Sequence, residues 1–251
     1  MSTRGNPYII SDNSLILSFD AANIRSYPGS GTTWYDISGN GNNGTINLGE
    51  FVSSDGGYLR NTGNTSDFFY ITVSDSTSIN ACFNVTSGGW TIEEIIWTNS
   101  VTYPEADAGG VGSVPAYGSG ATGFDWNHGI TNTSFRFGQS SSSGGGYEDD
   151  GTFSVGSPYD SLNAWRIRTM VWNRTANSNS LYINGTYINA VGTPNTAGTS
   201  VYNGDGITFG TLYGWKHYGR RAAIRIYKRV LTSSEILLNY NASKRRYGLT
   251  S

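Results

Sequence analysis

The sequence predicts an all-β fold, a two-sheet antiparallel β-sandwich with one short C-terminal helix. Composition is the first reason, because 14 % of the 251 residues are aromatic, 34 are glycine and only 14 % are charged. Such a chain is poor in helix formers and rich in turn formers and in aromatic residues that favour strands. Apolar residues make up 37 % of the chain, which is enough to bury a sizeable core. The composition therefore excludes a disordered protein.

Short β-favouring runs separated by turn residues are the second reason for this prediction. Apolar side chains alternate with others over residues 165–172, as expected for a strand buried on one face. Asn184-Gly185, between two further short strands, is a strong signal for a β-hairpin. The other clear strand candidates are residues 15–20, 68–73, 90–97, 207–210 and 222–227.

One convincing helix is predicted, within a C-terminal helix and tail at residues 232–251. Thr232 and Glu235 have the spacing of a capping box, in which the threonine hydroxyl accepts the Glu235 amide and the glutamate reaches back to the cap amide. Ile236, Leu237 and Tyr240 follow at helical spacing.

We expect residues 1–251 to form one domain, because we find no internal repeat and no domain boundary. Residues 1–13 form an N-terminal arm in this prediction, and residues 102–160 form long loops that project from one end of the domain. Glycine pairs, a serine run and a single short strand candidate at residues 134–137 favour loops there. Aromatic residues such as Trp126 argue against a flexible linker.

Three motifs occur along the chain in a characteristic order. WYDISGNGNNG occupies residues 34–44, Trp165-Arg166-Ile167 leads to the LYING hairpin at residues 181–185, and IRIYKRVLT at residues 224–232 precedes the capped helix. Together these motifs resemble the laminin-G-like domains, which have the concanavalin A-like jelly-roll fold. The resemblance implies that fold, and it implies less about function, because sandwich folds host many unrelated activities.

Stand-alone laminin-G-like domains with the SGNGNNG loop and a KRRYGL ending, here at residues 38–44 and 244–249, are similar to structural proteins of tailed bacteriophages. The resemblance implies a non-enzymatic virion protein that decorates the capsid or forms part of a fibre or appendage. Its partners would be other virion proteins, further copies of itself in a homo-oligomer, and host surface glycans. Residues 1–12 show no secretion signal, which agrees with a virion protein made in the host cytoplasm. The alternative is a stand-alone carbohydrate-binding lectin.

Charge is unevenly distributed along the chain. Residues 1–215 contain 7 basic and 17 acidic residues, whereas residues 216–251 contain 9 basic and 1 acidic residue. No nucleic-acid-binding motif accompanies the basic segment, and no apolar run approaches the ~20 residues of a membrane span. We therefore expect neither nucleic-acid binding nor membrane insertion. Instead, the segment is expected to dock on an acidic surface, its own or a neighbour's, through Arg220, Arg221, Lys244, Arg245 and Arg246.

Related sandwich folds include glucanases, so catalytic carboxylates have to be considered. A glycosidase needs two carboxylates that converge on one bond, whereas Glu93 and Glu94 are adjacent and should point to opposite faces of their strand. We therefore predict that the protein is not an enzyme. Glu94 shares a face with Trp90 that should be buried, and an unpaired buried carboxylate is costly. We expect Glu94 to pair with Arg166 or Arg168, or a bulge to turn it outward.

No cofactor is predicted with certainty, and calcium is the one candidate. Asp36, Asn40 and Asn42 lie in one tight loop and offer the oxygen ligands that Ca²⁺ prefers. Asp205 and the acidic cluster at residues 148–150 are further candidates. Turn formation explains the same residues equally well.

Aromatic residues in glycine-rich or polar loops are the candidates for binding a carbohydrate or a protein partner. Exposed rings stack on the apolar faces of sugars and also anchor protein interfaces. Packing at the ends of the sandwich is the alternative for the same residues. With one nearby histidine, the candidates are Trp34, Tyr35, Trp126, His128, Tyr213 and Trp215.

Overall fold

The computed structural model describes residues 9–61, 69–84, 87–98, 108–113, 122–128, 134–140, 147–154, 163–191, 206–212, 215–216 and 219–249. It confirms the predicted fold class, because the described residues form mostly strands, in two antiparallel sheets. In chain order the strands are β1 Leu15–Asp20, β2 Thr33–Trp34, β3 Gly44–Asn47, β4 Gly49–Val52, β5 Tyr58–Asn61, β6 Tyr70–Val73, β7 Gly89–Thr98, β8 Ala108–Ser113, β9 Thr122–His128, β10 Ser134–Ser140, β11 Tyr147–Ser154, β12 Trp165–Asn173, β13 Ser178–Ile183, β14 Thr186–Val191, β15 Ile207–Phe209, β16 Thr211–Leu212, β17 Trp215–Lys216 and β18 Gly219–Tyr227. The helices are α1 Thr77–Phe83 and α2 Ser233–Ser243, which continues into a 3-10 helix, Lys244–Tyr247.

The first sheet runs in the order β14-β13-β12-β7-β18-β5-β4, and β1 pairs with β18 beside β5. The second sheet runs in the order β11-β10-β9-β8-β15-β6-β3-β2, and β16 and β17 form a small separate ribbon. Strand β18 is therefore central, with β7 along one side and β5 and β1 along the other.

The main core lies between the two sheets. Phe19, Ile92 and Ile224 of the first sheet pack in one cluster with Ile71 and Phe209 of the second, and all five are fully buried. This is the interior expected when two antiparallel sheets face each other.

The two C-terminal helices pack with a second cluster, on the other side of the first sheet. Tyr240 of α2 and Tyr247 of the 3-10 helix share this cluster with Trp165 and Ile95. The rings of Tyr247 and Trp165 lie 5.1 Å apart. Among the described residues, no helix is long and apolar enough to cross a membrane.

The local signals that were read from the sequence are present in the structure. Asn184 and Gly185 both have positive φ, 51° and 75°, as a two-residue turn of the hairpin type requires. Both halves of the capping box form at α2, where Thr232 Oγ1 accepts from the Glu235 amide and the Glu235 carboxylate accepts from the Thr232 amide at 2.8 Å.

The expectation of long loops over residues 102–160 is wrong for much of that region. Strands β8 to β11 lie within it, and they continue the second sheet beyond β15 by successive antiparallel pairing. Glycine and serine disfavour strands locally, but ladder hydrogen bonds and sheet context override that preference. The one strand that the sequence indicated there, residues 134–137, is part of β10.

Helix α1 was not predicted from the sequence. The Ser76 side chain caps it by accepting from the Ile79 amide. Ile79, Cys82 and Phe83 point into the main core, and burial raises the pKa of the Cys82 thiol. The spacing of these three residues is the helical signal that could have revealed α1.

Candidate functional site

The two adjacent carboxylates on β7 are held by buried arginines. Glu94 pairs with Arg168 and, at 3.2 Å, with Arg221, whereas Glu93 pairs with Arg225. The expected pairing of Glu94 with Arg168 is confirmed. Neighbouring strand residues point to opposite faces, so these two carboxylates do not converge on one substrate bond.

The loop that contains Asp36 is organised by hydrogen bonds to its carboxylate. The amides of Ser18, Ser38 and Asn42 donate to Asp36 at 2.9, 2.8 and 3.0 Å, and the Ser38 hydroxyl donates at 2.8 Å. Asn40 uses its side-chain amide to donate to the Leu15 carbonyl at 3.1 Å.

This arrangement does not fit the predicted calcium site. Four donors aim hydrogens at the Asp36 oxygens, where a cation would need free lone pairs. The other calcium candidates, Asp205 and the side chains of residues 148–150, lie outside the described residues. Within the described ranges, no three His, Cys, Asp or Glu side chains are grouped as a metal would require.

Asn42 connects this loop to α1. Its side-chain amide donates to the Ile16 carbonyl at 2.7 Å and to the Ser78 hydroxyl at 2.9 Å. Its side-chain oxygen accepts from the Ser76 hydroxyl at 2.6 Å. The predicted metal ligand therefore fixes the start of α1 against β1.

Most of the arginines proposed for docking bind acidic residues of the same chain. Arg220 pairs with Asp55 at 3.4 Å, and Arg221 is fully buried against Glu94. Of the two alternatives, an acidic surface of the same chain or of a neighbour, these contacts match the first, and burial removes Arg221 from the set that a partner could reach.

The other three basic candidates lie near the C-terminus. Arg246 pairs with Asp20 at 2.8 Å, so it too acts within the chain. Lys244 Nζ lies 5.3 Å from the centre of the Tyr240 ring, and Arg245 is exposed. Lys244 and Arg245 are thus the two docking candidates for which the described contacts show no acidic partner.

The aromatic candidates are placed differently from one another. Trp34 is 0 % exposed and stacks on Phe19 at 4.9 Å, so the structure puts its ring in the core instead of a binding surface. Tyr35 is 45 % exposed. The side chains of the other four candidates, Trp126, His128, Tyr213 and Trp215, lie outside the described residues. The backbone of Trp126 and His128 belongs to β9, and that of Trp215 belongs to β17.

An open cleft of about 490 Å³, lined mostly by polar residues, lies along α1. Thr77 and Asn84 in its lining are exposed, and the Asn84 side-chain amide donates to Asn80 Oδ1 at 2.6 Å. Among its described lining residues Asp75 is the one carboxylate, so these residues contain no pair of acids for glycoside hydrolysis. The lining residues are Asp75, Ser76, Thr77, Asn80, Ala81 and Asn84.

The cleft rests on a rigid support. The buried side of α1 packs in the main core, where the rings of Phe83 and Trp90 lie 5.4 Å apart. Asn42 holds the other end through Ser76 and Ser78. A polar surface on such a scaffold loses little conformational entropy when it binds a ligand.

Comparison with known proteins defines the fold class. No protein-family model matches the sequence, and no curated protein sequence matches it. Among solved structures, the chain is similar to the binding domain of botulinum neurotoxin DC in complex with rat synaptotagmin II, with 17 % identity, a TM-score of 0.65, and coverage of 92 % of this chain and 52 % of that one. The chain thus spans about half the length of that domain.

Two further structures have similar folds. One comes from a study of botulinum neurotoxin type C, whose cell entry depends on two ganglioside molecules; its identity is 17 % and its TM-score 0.62, over 92 % of this chain and 51 % of that one. The other is domain 4 of the arabinanase AbnA from Geobacillus stearothermophilus in complex with arabinotriose, with 16 % identity and a TM-score of 0.61, over 89 % of this chain and 97 % of that one. The chain accordingly shares the antiparallel β-sandwich fold of these domains.

Proposed function

We propose that the chain is a non-catalytic binding module that recognises carbohydrate in the cleft along α1. The observation that carries this proposal is the cleft on its packed support, whose described lining offers hydrogen-bonding side chains and a single carboxylate. The paired state of Glu93 and Glu94 also favours binding over turnover.

The chemistry of the lining suits a neutral sugar. The side chains of Asn80 and Asn84, which hydrogen-bond each other, carry amide donors and carbonyl acceptors. The Thr77 hydroxyl can both donate and accept a hydrogen bond. Sugar hydroxyls likewise donate and accept, so each can be matched by one side chain. Asp75 adds an acceptor for hydroxyl donors, while exposed Ala81 leaves room for a sugar ring.

The structural neighbours give independent support for a binding role. The AbnA domain, which matches over nearly its whole length, is bound to arabinotriose, and type C neurotoxin interacts with gangliosides. Identities below 20 % establish the shared fold, and the ligand of this chain is our inference from its own cleft.

We also propose that the module is a structural component of a tailed-phage virion, made in the host cytoplasm and present as a homo-oligomer. The support is the resemblance of residues 38–44 and 244–249 to stand-alone domains of that kind. Mass spectrometry of purified particles, with copy number, tests this setting. If the chain is absent from particles, the virion proposal is wrong and the alternative, a stand-alone lectin, is favoured.

A glycan array followed by calorimetric titration tests the carbohydrate proposal. We expect Asn80→Ala with Asn84→Ala to lower the affinity for a neutral oligosaccharide about tenfold or more, because several hydrogen bonds are lost. Asn241→Ala, which truncates an exposed asparagine on α2, is the matched control and should bind normally. A silent array, or unchanged affinity in the double variant, would contradict the assignment.

A further inference from the structure

An exposed tyrosine lies at the edge of the first sheet. Tyr187 is on β14, the terminal strand of that sheet, and its side chain is 51 % exposed. Its ring meets the buried Tyr182 ring edge to face, with centroids 5.4 Å apart and an interplanar angle of 69°. One aromatic ring therefore positions the other at the surface.

The hairpin that carries Tyr187 is fixed at both ends of this contact. In the turn of the hairpin, the backbone amide of Asn184 donates to the Ile167 carbonyl at 2.8 Å. The Asn184 side-chain oxygen accepts from the Ile167 backbone amide at 2.9 Å. The Tyr182 hydroxyl lies 3.0 Å from Ser233 Oγ at the start of α2. The exposed ring is thus held by β12 and by α2.

A second apolar side chain borders the same region. Tyr240 of α2 packs against Gly185, where an added Cβ would lie 3.0 Å from it, and Ser233 of α2 contacts Tyr182. Leu237 is four residues after Ser233 and three before Tyr240, so it shares their side of the helix. It is 46 % exposed and lies on the side of α2 that faces the hairpin.

We propose that Tyr187 is the stacking platform of a second carbohydrate site, distinct from the α1 cleft. The ring packs on the apolar face of a neutral sugar, Leu237 extends this contact, and the exposed Ser233 hydroxyl binds a sugar hydroxyl. The inference rests on the proposed carbohydrate-binding function and adds a site on other elements.

The chemistry of the patch favours a sugar over a protein partner. It is formed by one exposed ring and one leucine among hydroxyl groups, and none of these side chains is charged. A protein interface of ordinary size requires a far larger contiguous surface. A single sugar ring needs only one rigid aromatic face and a few polar groups.

The experiment separates the two sites by working in the Asn80→Ala, Asn84→Ala background. The probes are arabinotriose and the neutral oligosaccharides of a glycan array, titrated by calorimetry. We expect Tyr187→Ala to reduce the remaining affinity about tenfold, whereas Tyr187→Phe, which keeps the ring, should retain it. Circular dichroism and Tm confirm that each variant is folded.

Each result has a definite reading. If the cleft background already abolishes all binding, or if Tyr187→Ala has no effect in it, the second site is refuted while the cleft assignment stands. If the cleft substitutions have no effect and Tyr187→Ala abolishes binding, the cleft assignment fails and the Tyr187 site stands. A silent array together with a change in oligomeric mass for Tyr187→Ala would make the patch a protein interface and overturn the inference.

Discussion

Glu93 and Glu94 are consecutive residues of β7, yet they bind arginines on opposite faces of the first sheet. Arg225 holds Glu93 on the face that also carries Ser243 of α2, whereas Arg168 and Arg221 hold Glu94. Buried ion pairs contribute modestly to stability when complete, but they are costly to break from one side.

Glu94→Gln should therefore destabilise the protein strongly. The substitution keeps the shape but leaves two buried guanidinium groups without their shared carboxylate, at a cost of about 3–5 kcal/mol in urea-induced unfolding. Glu50→Gln is the control, because its pair with Arg60 at 2.6 Å is exposed and should cost less than about 1 kcal/mol. Equal losses would show that burial of the Glu94 pair is not the determinant.

Asp36→Asn should unfold more easily because it disrupts the loop between β2 and β3. One acceptor oxygen becomes an NH₂ donor that faces backbone N–H groups. We expect the free energy of unfolding to fall by about 2–3 kcal/mol. Asn40→Ala removes a side-chain donor from the same loop and should cost only about 1 kcal/mol. A loss for Asp36→Asn no greater than that for Asn40→Ala would contradict the organising role of its carboxylate.

Calcium should not stabilise the protein through this loop. We expect the change in Tm on adding calcium or a chelator to be the same in the wild type and in Asn42→Asp, which adds a potential carboxylate ligand beside Asp36. Thermal shift measurements check this directly. A calcium-dependent rise in Tm that Asp36→Asn removes would restore the metal site.

Acid should weaken the cap of α2. Hydrogen bonds from Arg229, with smaller contributions from Thr232, lower the pKa of Glu235 from its ordinary 4.5 to about 2. The folded state therefore binds fewer protons, and this stabilisation is complete above pH 4.5 and is lost as the pH falls towards about 2. Between pH 4.5 and about 2, we expect the free energy of unfolding to fall less in Glu235→Gln than in the wild type, since glutamine still caps the helix. Unfolding curves measured at several pH values check this. An identical pH profile would argue against the ion pair.

The 3-10 helix after α2 should be required for stability. Tyr247 is buried against Trp165, and burial raises its pKa to about 12. Tyr247→Ala should cost about 3 kcal/mol or more. Lys244→Ala with Arg245→Ala should stay within about 1 kcal/mol of wild type, because both side chains lie at the surface.

The same comparison guides any test of docking. Deletion of residues 244–251 removes Tyr247 and the Arg246–Asp20 pair, so failure to join a particle would report misfolding. The Lys244, Arg245 double variant isolates docking from folding. Incorporation that the double variant leaves unchanged would exclude these two residues as docking contacts.

Local sequence signals predicted the parts of the fold that local chemistry controls. The Asn184-Gly185 turn and the Thr232 capping box form because φ preference and side-chain hydrogen bonds act within a few residues. Strands β8, β9 and β11 were not predicted, because their glycine- and serine-rich segments have little local strand preference and the sheet they extend begins at β15, a strand distant in sequence.

The candidate site was predicted less well, for the same reason. Arg221 and Arg246 were read as surface cations, but their partners Glu94 and Asp20 lie far away in the sequence. Trp34 follows a glycine-rich segment that indicated a loop, yet tertiary packing places its ring on Phe19. Composition gives the number of charges and rings, whereas their partners depend on topology.

The central position of β18 has a consequence for how the protein is made. Strands β1, β5 and β7 all pair with β18, which begins more than 120 residues after β7 ends. During synthesis the first sheet stays open until the ribosome has nearly finished this region, so unpaired edges persist in the nascent chain. Chaperone association or slow, late folding on the ribosome is the behaviour to expect of such a topology.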